Sequence, residues 1–316
     1  MNIFHLTFFN LVLDGGIAIV EMYYRRNLLA LVGGGKNPKF TPNKVVIWDD
    51  FQTKVLNEFK YTSLVKNVKL KKDKIIVVCD QRIYVYNLTT YKQIETIETC
   101  NNPRGVIAVN TDQDFTILAY PEVQKGFMKI KDYEKSKEIS INAHDNTITF
   151  ISISCKRLFV ATACEKGDTL RIFNGGDGSF LMEFKRGNAN PEFDFITFDP
   201  DNHYLAAASE RGNILIWSLS GCYSTLTLKG EISSKDIPAK LPQNSSYFWS
   251  FLPGVSKSEV SLIKIKINDD KSICGFLPNN QMLIVGSVGK YYIMAIDYEA
   301  KKYKINVEDH LNVKYK

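Results

Sequence analysis

Residues that hold metals or staple small folds are scarce in this chain. Six cysteines (Cys79, Cys100, Cys155, Cys164, Cys222 and Cys274) form no C-x-x-C pair, and the four histidines (His5, His144, His203 and His310) lie far apart. That spacing speaks against a zinc site and against a disulfide framework, and it suits reduced thiols in a cytoplasmic protein. No run of five or six cations occurs, which argues against nucleic acid as a partner. The net charge of +6, from 40 Lys and Arg against 34 Asp and Glu, is a mild excess that fits an anionic surface such as phospholipid. Long apolar runs are missing as well. The stretch NIFHLTFFNLVL (2–13) is too short to span a bilayer, lacks a basic flank and a small-residue cleavage pattern, and reads as a buried strand. Catalytic signatures are absent too: GGGK (33–36) lacks the spacing of a phosphate-binding loop, and no nucleophile–base pair or paired carboxylates stand out. The residues call for neither a cofactor nor an enzyme.

What the chain does have is a repeat. The stretches KVVIWD, RIYVYN, FMKIKD, LRIFNG, ILIWSL and KYYIMAID recur, and from Trp48 through Tyr86, Ile130 and Phe173 to Trp217 the steps are 38, 44, 43 and 44 residues. Each follows a second strand-like run: LLALVGGG, KIIVVCD, FTILAYPE, RLFVATACEKG, YLAAASERG and MLIVGSVG. Runs rich in Val, Ile, Phe and Tyr, punctuated by Gly, Asn and Asp, read as strands, and no helical period of useful length competes. A period of about 40–45 residues holding four short strands is the pattern of propeller blades. The fold expected is therefore an all-β propeller of WD-repeat type, one domain over 1–316. The turns CEKG (164–167) and SERG (209–212) would join the second and third strands of two successive blades.

Two irregularities interrupt the period. From Trp217 to Ile293 the step is 76 residues, so one blade carries an insertion, read as a long inter-strand loop over about 220–246. Six repeats are visible, and residues 1–13 are too few for another blade, which leaves open a six-bladed ring or an incomplete first blade.

The run LMEFKRGNANPEFDFITFDP (181–200) sets two cations side by side, Lys185 and Arg186, before Gly187. On extended chain neighbouring side chains diverge, so each could serve a separate anion, while the glycine turns the backbone away. Two edge cations that merely prevent strand pairing would look the same in isolation. Around that motif stand GGIAIVEMYYRRNLLALVGGGKNPKF, NKVVIWDD, IETCNNPRG, INAHDNTI, ATACEKGDTLRIF and SSYFWSF. With these stretches the chain, from about Asp14 onward, resembles the PROPPINs, the WIPI-type propellers that bind polyphosphoinositides. The family's Phe/Leu-Arg-Arg-Gly appears here with Lys185 in the first basic place.

The resemblance implies seven blades, the first truncated with 1–13 as its remnant, and two phosphoinositide pockets flanking the basic pair. Carried over by position, the first holds His144, Thr162, Cys164, Thr169, Arg171 and Lys185, with Asp168 where a Thr is usual. The second holds Arg186, Ser209 and Asn213, with Leu215 where the family places a His. The first is expected to be nearly complete and the second weakened. The inserted loop is expected to reach the bilayer through Ile232, Ile237 and Leu241, with Lys229, Lys235 and Lys240 among the headgroups.

The function so implied is a non-enzymatic effector and scaffold. It would bind phosphatidylinositol 3-phosphate or 3,5-bisphosphate on autophagic and endolysosomal (vacuolar) membranes, from the cytoplasm and as a monomer. An autophagy protein partner is implied too, a bridge-like lipid-transfer protein among the candidates. The departures at Asp168, Asn213 and Leu215 keep a second reading open, a WD-repeat interaction scaffold with little lipid binding. An unrecognised propeller hydrolase is a third, with no residue constellation to support it.

Overall fold

The second strands of the repeats are predominantly apolar, and this places most of them inside the layers of the fold. The computed structural model describes residues 14–23, 26–112, 114–185, 193–233, 238 and 258–310, so the expectation for 2–13 lies outside them. By internal contacts the chain divides into two compact units, Met1–Gly105 and Val106–Lys316.

The first unit holds two four-stranded antiparallel sheets. One is β1 (Ile17–Met22), β2 (Leu28–Gly33), β3 (Lys44–Asp49) and β4 (Lys54–Lys60); the next is β5 (Asn67–Leu70), β6 (Lys74–Val78), β7 (Arg82–Asn87) and β8 (Gln93–Glu98). Between them Tyr61, Val68, Ile75 and Tyr86 join one buried cluster.

Four sheets make up the second unit. They are β9 (Ala108–Val109) to β12 (Lys137–Asn142) by way of β10 (Ile117–Pro121) and β11 (Phe127–Asp132), then β13 (Ile148–Ile153), β14 (Phe159–Cys164), β15 (Thr169–Asn174) and β16 (Phe180–Lys185). The next sheet starts with β17 (Phe193–Phe198), β18 (Tyr204–Ser209) and β19 (Asn213–Ser218). The last comprises β22 (Ser272–Leu277), β23 (Gln281–Gly286), β24 (Lys290–Asp297) and β25 (Lys302–His310). Each is a meander, and the second and third strands of all six sheets coincide with the apolar runs of the sequence. The fourth strands alternate instead: in β16, Leu181, Met182 and Phe184 are buried, while Phe180 and Lys185 face solvent. Phe184 stacks on Trp217 of the following sheet at 5.6 Å between ring centroids, and that packing turns Lys185 outward.

After β19 the expected loop does not begin as a loop. Ser220–Leu228 forms a helix, α1, which buries Cys222, Tyr223 and Leu226 against the cluster around Phe159, Phe184 and Trp217. The segment hides its helicity because it is rich in Ser and Thr, which favour caps and turns. Here their hydroxyls bond back one turn: Thr225 to the carbonyl of Gly221 at 2.9 Å, Thr227 to Tyr223 at 3.0 Å and Ser224 to Ser220 at 3.1 Å. Gly230, in the left-handed region at φ 71°, closes the helix by donating to the carbonyl of Thr227 at 3.0 Å. The chain returns as β20 (Ser258–Val260), which pairs parallel with the outer edge of β16, and then enters β21 (Ile263–Lys266) to finish the sheet of β17–β19.

In five sheets the third and fourth strands are tied by an ion pair of constant sense. Lys44 meets Glu58 at 2.8 Å, Arg82 meets Glu98 at 3.8 Å, Lys131 meets Glu138 at 3.0 Å, Arg171 meets Glu183 at 3.0 Å and Lys290 meets Glu308 at 3.6 Å. The base always stands on the third strand and the acid on the outer one.

Candidate functional site

Strand register decides which candidate residues can act together. Residues opposite one another on neighbouring antiparallel strands point to the same face. Thr162 of β14 faces Arg171 of β15, which faces Glu183 of β16, and one rung further on Thr169 faces Lys185. Cys164 lies two residues from Thr162 on the same strand. Thr162, Cys164, Thr169, Arg171 and Lys185 therefore share one face of a single sheet.

His144 joins them from the turn before β13. Its Nε2 lies 2.9 Å from Oγ1 of Thr162, and both side chains are buried. The backbone of that turn is fixed from two sides. The amides of Ala143 and His144 both donate to the carbonyl of Gly126 at 3.0 Å, and Nη1 of Arg171 donates to the carbonyl of Ala143 at 2.8 Å. Gly126 has φ 82°, and a Cβ there would lie 1.8 Å from the carbonyl oxygen of His144, so only glycine fits. Arg171 is thus both a candidate anion contact and the brace of the His144 turn.

The electrostatics follow from that packing. Burial, reinforced by the Arg171 guanidinium, pushes the His144 imidazole down to about 4, so the ring is neutral near pH 7. Burial pushes the Cys164 thiol up, and it stays protonated. Asp168, the acid that sits where a hydroxyl was expected, is pushed up by burial. Lys166 at 2.9 Å and the Thr169 hydroxyl at 3.4 Å outweigh this and hold it below its usual value. Its charge is therefore answered locally, on the side of Lys166. Nε of Arg171 donates to Glu183 at 3.0 Å, a partner that reading the sequence missed. The signal was present: Glu183 stands two residues before Lys185 and so shares its face.

The second constellation is sparser. Arg186 lies outside the described residues. Ser209 is buried and its hydroxyl donates to the carbonyl of Asn213 at 3.2 Å; the Asn213 amide donates to the carbonyl of Glu210 at 3.4 Å. Leu215 occupies the rung that Arg171 holds one sheet earlier, and it is buried.

Among the loop candidates, Ile232 packs against the core cluster around Trp217 instead of projecting from it. Ile237 and Leu241 lie outside the described residues. Leu226, also part of the expected apolar pattern, is a core residue of α1, whereas Leu228 at the helix end is 68% exposed. No described helix is long and apolar enough to cross a membrane. Asp199, Asp201 and His203 come within reach of one another, but Asp199 accepts the Tyr204 amide at 2.6 Å in a turn role. None of the six cysteines is joined in a disulfide.

Comparison with known proteins places this geometry. The model of the PROPPIN family matches residues 14–236. Autophagy-related protein 18e of Arabidopsis thaliana is 32% identical over 90% of this chain and 74% of its own length. SVP1-like protein 2 of Schizosaccharomyces pombe is 30% identical over 67% of this chain and 59% of its own. Among solved structures, Kluyveromyces lactis Hsv2p aligns with a TM-score of 0.71 over 94% of this chain and 87% of that one, at 16% identity. KlAtg21, solved in complex with the coiled coil of AgAtg16, aligns with a TM-score of 0.68 over 93% and 85%, at 21% identity. The six blade-like sheets are those of a β-propeller fold.

Proposed function

The chain belongs to the PROPPIN family, and from that premise we propose that it is a phosphoinositide-binding effector and scaffold of autophagy and endolysosomal traffic. The observation that carries the reading is the shared face of Lys185, Arg171 and Thr169, completed by His144 at the buried end. A phosphomonoester needs charge-assisted donors at fixed spacing, and a guanidinium with hydroxyls beside it supplies them. Phosphatidylinositol 3-phosphate and the 3,5-bisphosphate are the ligands expected at this face.

The mode of action follows as part of the same proposal. The protein docks peripherally from the cytoplasm as a binding module, without catalysis, and Ile237 and Leu241 enter the bilayer beside it. A protein partner accompanies the lipid. The complex of KlAtg21 with a coiled coil supports a partner of that kind, and a bridge-like lipid-transfer protein is the other candidate.

A second reading, a scaffold with little lipid affinity, draws on Arg171 already holding Glu183 at 3.0 Å. Liposome co-sedimentation separates the two. Lys185→Thr/Arg186→Thr is expected to abolish phosphoinositide-dependent sedimentation, since losing two contacts of roughly 1.5–3 kcal/mol each weakens binding on the order of 10²-fold or more. A folded double variant that still sediments with the wild type overturns the lipid reading.

A further inference from the structure

The outer edge of β16 is taken up by a fifth strand, since β20 runs parallel along Glu183–Lys185. Outer strands of this fold can therefore accept a further strand, and β25 offers the longest such edge. It covers nine residues, KYKINVEDH, where the other outer strands hold four to seven. Midway along it Ile305 is 43% and Val307 38% exposed. An open edge of this kind invites pairing unless charge or irregularity blunts it. A bulge at Asn306 does interrupt the register with β24. A comparable bulge at Leu181 of β16, however, does not prevent that strand from receiving β20.

The charges of β25 are sorted along its length, with Lys302 and Lys304 in the first half and Glu308 and Asp309 in the second. Reversed, the strand is complementary to itself. Antiparallel pairing about a two-fold axis at Asn306 sets Lys304 opposite the partner's Glu308, Ile305 opposite the partner's Val307 and Tyr303 opposite the partner's Asp309, each contact occurring twice. That register alone overlaps all nine residues. Opposite charges and apolar pairs at directly opposed positions favour strand pairing, and like charges there oppose it. The other open outer strands lack this property. β4 would set Lys54 against Lys60, β8 carries acids alone (Glu95 and Glu98) and β21 lysines alone (Lys264 and Lys266), so each repels its own copy. β12 would set Lys137 and Glu138 against Ile141 and Ser140. Within its own sheet Glu308 meets Lys290 at 3.6 Å, but its side chain is half exposed and open to a second cation. We propose that a second copy of this chain pairs antiparallel with β25, edge to edge about Asn306, so that four strands from each copy form one continuous sheet. The contact uses neither lipid nor any residue of the anion-binding face, so it goes beyond the function proposed above and does not depend on it.

Sedimentation equilibrium of the full chain in lipid-free buffer, over a range of concentrations, tests this. The wild type is expected to pass from one to two chains per particle, with association weakening as salt rises. Lys304→Glu sets acid against acid at both ends of the new ladder, and Glu308→Lys sets base against base. Each alone should weaken dimerisation tenfold or more. Mixed in equal amounts, the two variants should pair with each other, because every opposed position then joins a base to an acid. Lys304→Glu/Glu308→Lys should likewise restore association, which shows that the single losses are not misfolding. A chain that stays monomeric at every concentration, as the resemblance implies, overturns the inference. So does a dimer that Lys304→Glu leaves intact, or a mixture of folded variants that fails to pair. None of these results touches the lipid reading.

Discussion

Nε2 of His144 and Oγ1 of Thr162 meet at 2.9 Å inside the fold, and the imidazole there is neutral because protonating it would set a buried cation beside Arg171. The folded pKa of about 4 lies below the ordinary 6.5, so between those values the unfolded chain takes up a proton that the folded chain refuses. Stability is complete above pH 6.5 and falls on acidification, by about 2 kcal/mol at pH 5 from this group alone. Urea midpoints of wild type and His144→Gln at pH 7.5 and pH 5 check this: the wild type should lose more on acidification. Parallel losses would mean that the histidine is not the group responsible.

Glu183 competes with any anion for the Arg171 guanidinium. Glu183→Gln removes that competitor and keeps the side chain's shape, so headgroup affinity is expected to rise several-fold. Calorimetry with a soluble headgroup is the measurement. Unchanged or weaker binding would place the anion away from Arg171.

The two leucines of α1 should behave oppositely. Leu226 is buried in the cluster around Trp217, so Leu226→Ala is expected to destabilise the protein by about 2–5 kcal/mol. Leu228, on the exposed end of the helix, should tolerate alanine within about 0.5 kcal/mol. Thermal melts of the two variants distinguish a packed helix from a loop, in which neither change would register.

For the insertion, the useful variant leaves Ile232 alone, since that side chain helps close the core. Ile237→Ser/Leu241→Ser is expected to weaken liposome binding several-fold while headgroup affinity stays at the wild-type value. Equal sedimentation of both proteins would leave the segment without a role at the membrane.

Gly126 offers a test of positioning. Gly126→Ala drives a methyl into the carbonyl of His144, so the turn must shift away from the Arg171 guanidinium that braces it. Headgroup binding should weaken together with thermal stability, and retention of both would show that the turn is not set by this contact.

The second strands were legible in the sequence because burial on both faces leaves a nearly unbroken apolar run, as in β6, β14 and β18, and the third strands through their Val, Ile and aromatic residues in spite of the base that most of them carry. α1 was not, because its Ser and Thr residues carry a turn-like composition and its burial comes from neighbours the sequence does not show. β20 was invisible for a similar reason: three residues become a strand only because the edge of β16 is there to receive them. At the site, Thr162, Arg171 and Lys185 could be named from the resemblance, but the Arg171–Glu183 pair required the register.

The return of the chain through β20 has a consequence beyond the edge it covers. α1 packs on β16 at the start of the insertion, and β20 hydrogen-bonds to β16 at its end, so one strand anchors both. Closing a connection between two fixed points becomes harder only logarithmically with length, by about 0.6 kcal/mol for each doubling. The number of residues between the two anchors therefore weighs little on folding, whereas Ile232, which packs on the core just after the helix, does matter to it. Both ends of the insertion are held by the strand that bears Lys185.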